Sequence, residues 1–248
     1  QMEALLLSYL NDLIKKNQIP KDWKNRFIEI LDEYMGAPPV KFTYEGKEYT
    51  PITFANSLKI KETNYALFSS FEYKSYYKKH IVEVPDNWLM KKAYNLPLDE
   101  MMKIIDNALN MGFPVAITCD ITERGYVWKD GIALVVTKEN IDDFLYNDVF
   151  GKNAKPINEP DITSTMRQEA FDNYQTTDDH SILIVGTAKD KYGKKYYYAK
   201  NSWGTENTAY KGYIYMSESY IRYKTLTILV NKITVPKDIL NKYESECN

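Results

Sequence analysis

A histidine and an asparagine, 21 positions apart, are the residues whose types and spacing best suit catalysis. His180 opens an apolar run of strand length, residues 181–186. Asn201 follows the aromatic, β-favouring run 196–199. A His at the start of one strand and an Asn at the end of the next can meet across a hairpin, where the amide orients the imidazole. This pair would form the base half of a Cys-His-Asn triad.

The chain does not offer an obvious thiol to complete such a triad. Its two cysteines, Cys119 and Cys247, are too few for a disulfide scaffold. Cys119 ends a strand-like run and precedes Asp120, whereas an activated thiolate is favoured at a helix N-terminus or beside cations. We therefore expect Cys119 to be a buried or half-buried structural thiol and Cys247, next to the C-terminus, to be mobile.

Charge and composition exclude several classes of function. The 248 residues carry 32 Lys and Arg against 34 Asp and Glu, so no basic excess favours nucleic-acid binding. The two histidines, His80 and His180, lack the spacing of metal ligands, and neither a metal nor a cofactor is expected. No apolar run is long enough to cross a membrane, and the N-terminus lacks the features of a signal peptide. A soluble cytoplasmic, periplasmic or secreted protein is consistent with this composition.

The first quarter of the chain is predicted to be mostly helical. Helical periodicity covers residues 2–16, and a second helix opens near Trp23 and ends at Gly36. A hairpin is predicted around Glu45-Gly46, followed by a short helix from Pro51. The chain begins almost inside its first helix, so we expect further sequence before Gln1.

The remaining sequence predicts an α+β arrangement rich in strands. A buried strand at 113–119 follows the clearest helix, and several strands with tight turns after residue 180 suit a small barrel. We expect residues 113–232 to form one antiparallel sheet closing toward a barrel. His80, beside two lysines that would lower its pKa, is expected in a surface loop. The other predicted elements are strands at 65–71, 80–84, 132–136 and 226–230 and helices at 96–112, 164–174 and 235–243.

The residues around His180 and Asn201 resemble the papain-type cysteine peptidases. The resemblance rests on Asp179-His180-Ser181, on Asn201-Ser202-Trp203-Gly204 after a strand, and on Lys211-Gly212-Tyr213 beyond it. Within that group the chain is most similar to the bleomycin hydrolase and aminopeptidase C branch. Segments that match this branch lie along nearly the whole chain, at 34–39, 42–44, 49–54, 95–98, 112–115 and 235–236.

The resemblance implies an α+β papain-like fold, in which an antiparallel β-barrel subdomain carries His180 and Asn201 and a helical insert accompanies it. Residues 1–60 would be part of the insert, and residues 61–248 would be the barrel subdomain with its C-terminal helix. His180 would take a proton from the thiol and later protonate the leaving amine, Asn201 would orient its ring, and Trp203 would cover their hydrogen bond from water.

The family's nucleophile segment, a Gln…Cys-Trp pattern at the start of a long helix, does not occur in this chain. The resemblance therefore implies the C-terminal portion of a peptidase, with the catalytic Cys on a missing or separate N-terminal portion of the same protein. A peptide substrate and a homo-oligomer are also implied, and the substrate-binding residues stay unassigned.

Two further alternatives stay open. In the resembled branch a C-terminal arm restricts the enzyme to aminopeptidase activity, but residues 244–248 look shorter than such an arm, so an endopeptidase is the first alternative. A non-catalytic papain-fold interaction protein that has lost its cysteine is the second.

Overall fold

The computed structural model describes residues 1–17, 19–146 and 155–244. Its chain divides into two compact units, Gln1–Lys61 and Glu62–Asn248. Cys247, whose mobility was predicted, lies outside the described residues, as do the last four residues of the expected C-terminal arm. Whether the first unit is an insert of a larger catalytic domain stays a prediction.

The first unit contains the predicted helices and hairpin. Two residues of the hairpin turn, Glu45 and Gly46, both have positive φ, which is the geometry that a tight two-residue hairpin requires. Phe54 packs edge-on against three aromatic rings of the hairpin, with ring centroids 5.2–5.3 Å apart. The elements of this unit are α1 (Met2–Lys15), α2 (Trp23–Met35), β1 (Phe42–Tyr44), β2 (Lys47–Tyr49) and α3 (Pro51–Ser57).

The second unit is a ten-stranded sheet with helices packed against it. Its strands are β3 (Tyr65–Ser69), β4 (Lys79–Ile81), β5 (Lys92–Asn95), β6 (Val115–Cys119), β7 (Tyr126–Val127), β8 (Ile132–Ala133), β9 (His180–Lys189), β10 (Lys195–Lys200), β11 (Tyr213–Ser217) and β12 (Thr225–Asn231). Their order in the sheet is β4-β5-β3-β12-β6-β9-β10-β11-β8-β7. Its helices are α4 (Leu98–Asn110), α5 (Ile141–Tyr146), α6 (Ser164–Asp172), α7 (Glu218–Lys224) and α8 (Lys237–Glu244).

The sheet differs from the one predicted for residues 113–232. Three strands from residues 65–95 join it through β12, and seven of its nine neighbouring pairs are antiparallel, while β3·β5 and β11·β8 are parallel. Among the described residues, no ladder joins the two end strands β4 and β7. The prediction of one antiparallel sheet over residues 113–232 was therefore wrong for the pair β11·β8, and the mixed α+β class is confirmed.

The core lies between α4 and the middle of this sheet. The apolar stripe of α4, including Met101, Ile105 and Ala108, is fully buried against β6, β9 and β12. Gly112 ends the helix region with a positive φ, and β6 follows as the predicted buried strand. Strands β6 and β9 are thus held in the interior, and β9 begins with His180.

His80 does not lie in a surface loop, so that prediction was wrong. It belongs to β4 and is only 9 % exposed, with Nε2 2.7 Å from Ser69 Oγ and Nδ1 3.0 Å from the carbonyl oxygen of Ile81. Its pKa is lowered, mainly because burial disfavours the imidazolium, and in addition because Lys74 is nearby. The direction of the shift is as expected, but its principal cause is burial and not the adjacent lysines.

Candidate active site

The ends of β9 and β10 bring His180 and Asn201 together. The two strands pair antiparallel, with Lys200 opposite Leu183, so the residue after β10 lies beside the start of β9. His180 Nε2 is 2.8 Å from Asn201 Oδ1, which is the distance of a good hydrogen bond. The expected contact between these two side chains is confirmed.

Asn201 is held by backbone and side-chain partners on every side. Its backbone N–H donates to the carbonyl oxygen of Gly212 at 3.0 Å, and its side-chain Oδ1 accepts from the backbone N–H of Ser202 at 2.7 Å. Its Nδ2 donates to the phenol oxygen of Tyr126 at 3.0 Å. The residue is only 6 % exposed, so each of these bonds replaces water that the amide has lost.

The glycine of the Lys-Gly-Tyr motif has a physical reason at this place. Gly212 has φ +92°, and a Cβ on it would lie 2.7 Å from the carbonyl oxygen of Gly204. A larger residue would therefore push the 201–204 turn away from β11. Gly212 therefore lets the two segments lie close together, and its carbonyl accepts one of the hydrogen bonds that hold Asn201.

The loop before His180 is tied to the loop after β6. Asp179 accepts from the N–H of Ile121 at 3.0 Å and from the hydroxyl of Thr122 at 2.8 Å. Asp120 accepts from the N–H of Thr177 at 2.9 Å. These bonds between carboxylates and neutral donors fix where β9 begins, and they therefore fix the backbone position of His180.

Trp203 packs against the imidazole as expected. The ring centroids of His180 and Trp203 are 5.0 Å apart, and Trp128 contacts Trp203 edge-on at 5.5 Å. Trp203 is itself 50 % exposed, so it covers the histidine on one side and presents its other surface to solvent. Sequence reasoning identified Trp203 but not Trp128.

Cys119 lies directly opposite His180 in the β6·β9 ladder, which the sequence did not indicate. Its side chain is completely buried. Burial raises the pKa of this thiol well above its usual range, and the carboxylates of Asp179, Asp178 and Asp120 add to that shift. A thiol in these surroundings stays protonated, in agreement with the prediction of a structural cysteine.

Asp178 is a carboxyl group close to this site that sequence reasoning missed. Burial raises its pKa from 3.8 to about 6, and the nearby carboxylates of Asp86 and Asp179 add to the shift, while a hydrogen bond with Thr118 opposes it. Within the described residues, no group of three or more His, Cys, Asp or Glu side chains is arranged to hold a metal ion.

Comparison with known proteins identifies the family of this chain. The Peptidase C1-like family matches residues 14–248. The chain belongs to that family. Bleomycin hydrolase of Gallus gallus is 25% identical over 251 residues, a match that covers 88% of this chain and 49% of that protein. The resemblance to the papain-type peptidases and their bleomycin hydrolase branch is thereby confirmed.

A solved structure extends the likeness to the fold. The crystal structure of PepW from Lactobacillus rhamnosis superimposes with a TM-score of 0.63 at 19% identity, over 99% of this chain and 56% of that one. The chain therefore spans about half the length of both proteins.

In the part of the chain that the structure describes, no helix is both long and apolar enough to span a membrane.

Proposed function

We propose that this protein is a cysteine-type peptidase that hydrolyses peptide bonds with a Cys-His-Asn triad. This chain supplies His180 and Asn201, and the nucleophilic cysteine lies on an N-terminal portion of the same protein. The observation that carries the proposal is the 2.8 Å hydrogen bond between His180 Nε2 and Asn201 Oδ1. The same oxygen accepts a hydrogen bond from the backbone N–H of Ser202. Membership of the Peptidase C1-like family supports it.

The hydrogen bonds around Asn201 determine which histidine nitrogen can act as a base. The N–H of Ser202 can only donate, so the amide atom that it faces is the oxygen. His180 Nε2 faces the same oxygen and must therefore carry a proton. The lone pair of the neutral imidazole is then on Nδ1, and Nδ1 is the atom that would accept a proton from the thiol.

The chemistry follows from that assignment. Proton transfer from the thiol to His180 Nδ1 gives a thiolate and an imidazolium, whose Nε2–H is stabilised by Asn201 Oδ1. The thiolate attacks the peptide carbonyl carbon, and the imidazolium returns the proton to the departing amine as the C–N bond breaks. His180 then deprotonates a water molecule, which hydrolyses the thioester and releases the thiol.

The properties of Cys119 support a nucleophile located elsewhere in the protein. The thiol is completely buried, and its raised pKa opposes formation of the thiolate at neutral pH. The chain also spans only about half of its relatives.

The full-length protein, with all sequence that its gene encodes, tests the proposal through hydrolysis of fluorogenic peptide amides. We expect thiol-dependent hydrolysis that falls by roughly 100-fold or more in His180→Ala, because a general base contributes about 10²–10⁴ in rate. A free α-amine on the substrate should be required if the enzyme is aminopeptidase-like. Equal hydrolysis of an N-acetylated peptide would instead indicate the endopeptidase alternative.

The buried Cys119 also favours a second candidate function, a non-catalytic papain-fold interaction protein. Failure of the full-length protein to hydrolyse any of a varied set of peptide amides, together with no alkylation of a thiol at pH 6 to 7, would support that alternative. Hydrolysis abolished by a thiol reagent would exclude it.

A further inference from the structure

Tyr126 reaches the asparagine of the proposed triad from a part of the chain far from it in sequence. Its phenol oxygen accepts a hydrogen bond of 3.0 Å from Asn201 Nδ2, across 75 positions. The tyrosine ring also contacts Trp203 edge-on, with centroids 6.3 Å apart, and lies 6.3 Å from the ring of Tyr220. Tyr126 therefore contacts the amide and the indole that surround His180.

The backbone around Tyr126 is built to hold this phenol in place. Tyr126 pairs with Ala133 in the β7·β8 ladder, and its N–H donates to the carbonyl of Glu123 at 3.0 Å. Gly125, one residue earlier, approaches the residue after β8 so closely that a Cβ would lie 1.9 Å from the carbonyl oxygen of Leu134. No other residue type would allow this approach without moving the backbone that carries Tyr126.

The phenol also keeps its proton over the range in which a peptidase works. Burial raises the pKa of Tyr126 well above its usual range, and the hydrogen bond from Asn201 opposes only part of that shift. The hydroxyl is therefore a constant, neutral acceptor for Asn201 Nδ2. Asn201 is 6 % exposed, so water does not readily replace this acceptor if the hydroxyl is removed.

We propose that Tyr126 is a positioning residue that holds the Asn201 amide, and through it the His180 ring, in the geometry required for proton transfer. The inference rests on the proposed function, since its kinetic consequence requires that His180 be the base. Ser202 fixes which end of the amide faces His180, whereas Tyr126 anchors the opposite end of the amide. Without the phenol oxygen, the amide pivots about its oxygen, and the bond to His180 Nε2 becomes longer and less well aligned.

The direct test is the ¹H–¹⁵N NMR signal of the His180 Nε2–H, recorded with ¹⁵N-labelled His in the full-length protein and in Tyr126→Phe. A longer and less well aligned bond to Asn201 Oδ1 protects this proton less, so we expect it to exchange with water about threefold faster and its resonance to move upfield. An unchanged Nε2–H resonance and exchange rate in a folded Tyr126→Phe variant would overturn the proposal.

Three comparisons separate positioning from a general loss of stability. Tyr197→Phe is the matched control, because Tyr197 is fully buried and its hydroxyl donates to Asp106 at 2.8 Å, away from Asn201. It should lower stability without changing the His180 Nε2–H signal. In an Asn201→Ala background, Tyr126→Phe should have no further effect on His180, because the side-chain amide through which the phenol acts is then absent. Tyr126→Leu gives the same test if the Phe variant does not fold.

Kinetics distinguish failure of this inference from failure of the proposed function. With peptide amides, Tyr126→Phe should lower kcat about tenfold, equivalent to about 1.4 kcal/mol, and leave KM unchanged. A wild-type protein that hydrolyses no peptide refutes the peptidase proposal, while the NMR comparison still decides whether Tyr126 positions His180. A rise in KM with unchanged kcat would contradict a positioning role.

Discussion

Replacement of Asn201 by alanine is the perturbation whose size the structure predicts best. The substitution removes the acceptor of the His180 Nε2–H and leaves the N–H of Ser202 and the hydroxyl of Tyr126 without their partner. A hydrogen bond to a charged group is worth about 1.5–3 kcal/mol, and the imidazolium of the transition state is the charged form. A loss of about 2–3 kcal/mol corresponds to a roughly 30- to 150-fold fall in kcat/KM.

The assay is steady-state hydrolysis of a peptide amide by the full-length protein, measured from pH 5 to 9 alongside urea unfolding. Asn140→Ala is the matched control: Asn140 is 2 % exposed and makes three hydrogen bonds of 2.8–3.0 Å, none of them to His180. Both variants should lose stability, but only Asn201→Ala should lose activity to the predicted extent. Activity of Asn201→Ala within about threefold of wild type, or an equal loss in both variants, would refute the reasoning.

Three further substitutions test other parts of the account. Cys119→Ala should lower the free energy of unfolding by about 1 kcal/mol, because the thiol is a small core side chain. Peptide hydrolysis should stay within about twofold of wild type. Complete loss of hydrolysis would make Cys119 the nucleophile. Trp203→Ala removes an aromatic contact worth about 0.5–1.5 kcal/mol, so kcat should fall about three- to tenfold; an unchanged kcat would exclude a role for the indole. For Asp178, the native pKa of about 6 exceeds its unfolded value of 3.8, so ionisation destabilises the fold as pH rises from about 4 to 6. Asp178→Asn should therefore raise the denaturation midpoint at pH 7 but not below about pH 4. An equal rise of the midpoint at the two pH values would be inconsistent with the raised pKa of Asp178.

The contact between His180 and Asn201 could be predicted from sequence because its signals are local. His180 begins an apolar strand and Asn201 ends the next one, so a single hairpin brings them together without any knowledge of the remaining sheet. Gly212 and Trp203 lie within the same stretch. The expected hydrogen bond and ring contact follow from strand pairing alone.

Tyr126 could not be predicted in this way. It lies on a two-residue strand without periodicity, and its partner Asn201 is 75 positions away. The chain contains 22 tyrosines, so residue type did not distinguish this phenol from the others. Only the sheet order, which places β8 beside β11 and β7 beside β8, brings it to the site.

The wrong prediction for His80 has a similar cause. Its neighbouring lysines suggested a surface loop, but β4 pairs with β5, and the aromatic ring of Phe71 packs edge-on against the imidazole with centroids 6.0 Å apart. The short strand β5 has no clear alternation of apolar and polar residues, so it was not predicted. Burial imposed by long-range pairing therefore overrode the local charge pattern.

The central claim is that His180 activates a thiol supplied by another portion of the protein, and the pH dependence of alkylation tests it most directly. Iodoacetamide reacts with the thiolate, so its second-order rate reports the thiolate fraction at each pH. For the full-length protein, we predict one cysteine outside these 248 residues that reacts at pH 6, and an alkylation profile that reverts to an ordinary thiol pKa of about 8.5 in His180→Ala. The same profile in wild type and His180→Ala, or labelling of Cys119 as the reactive thiol, would contradict the claim.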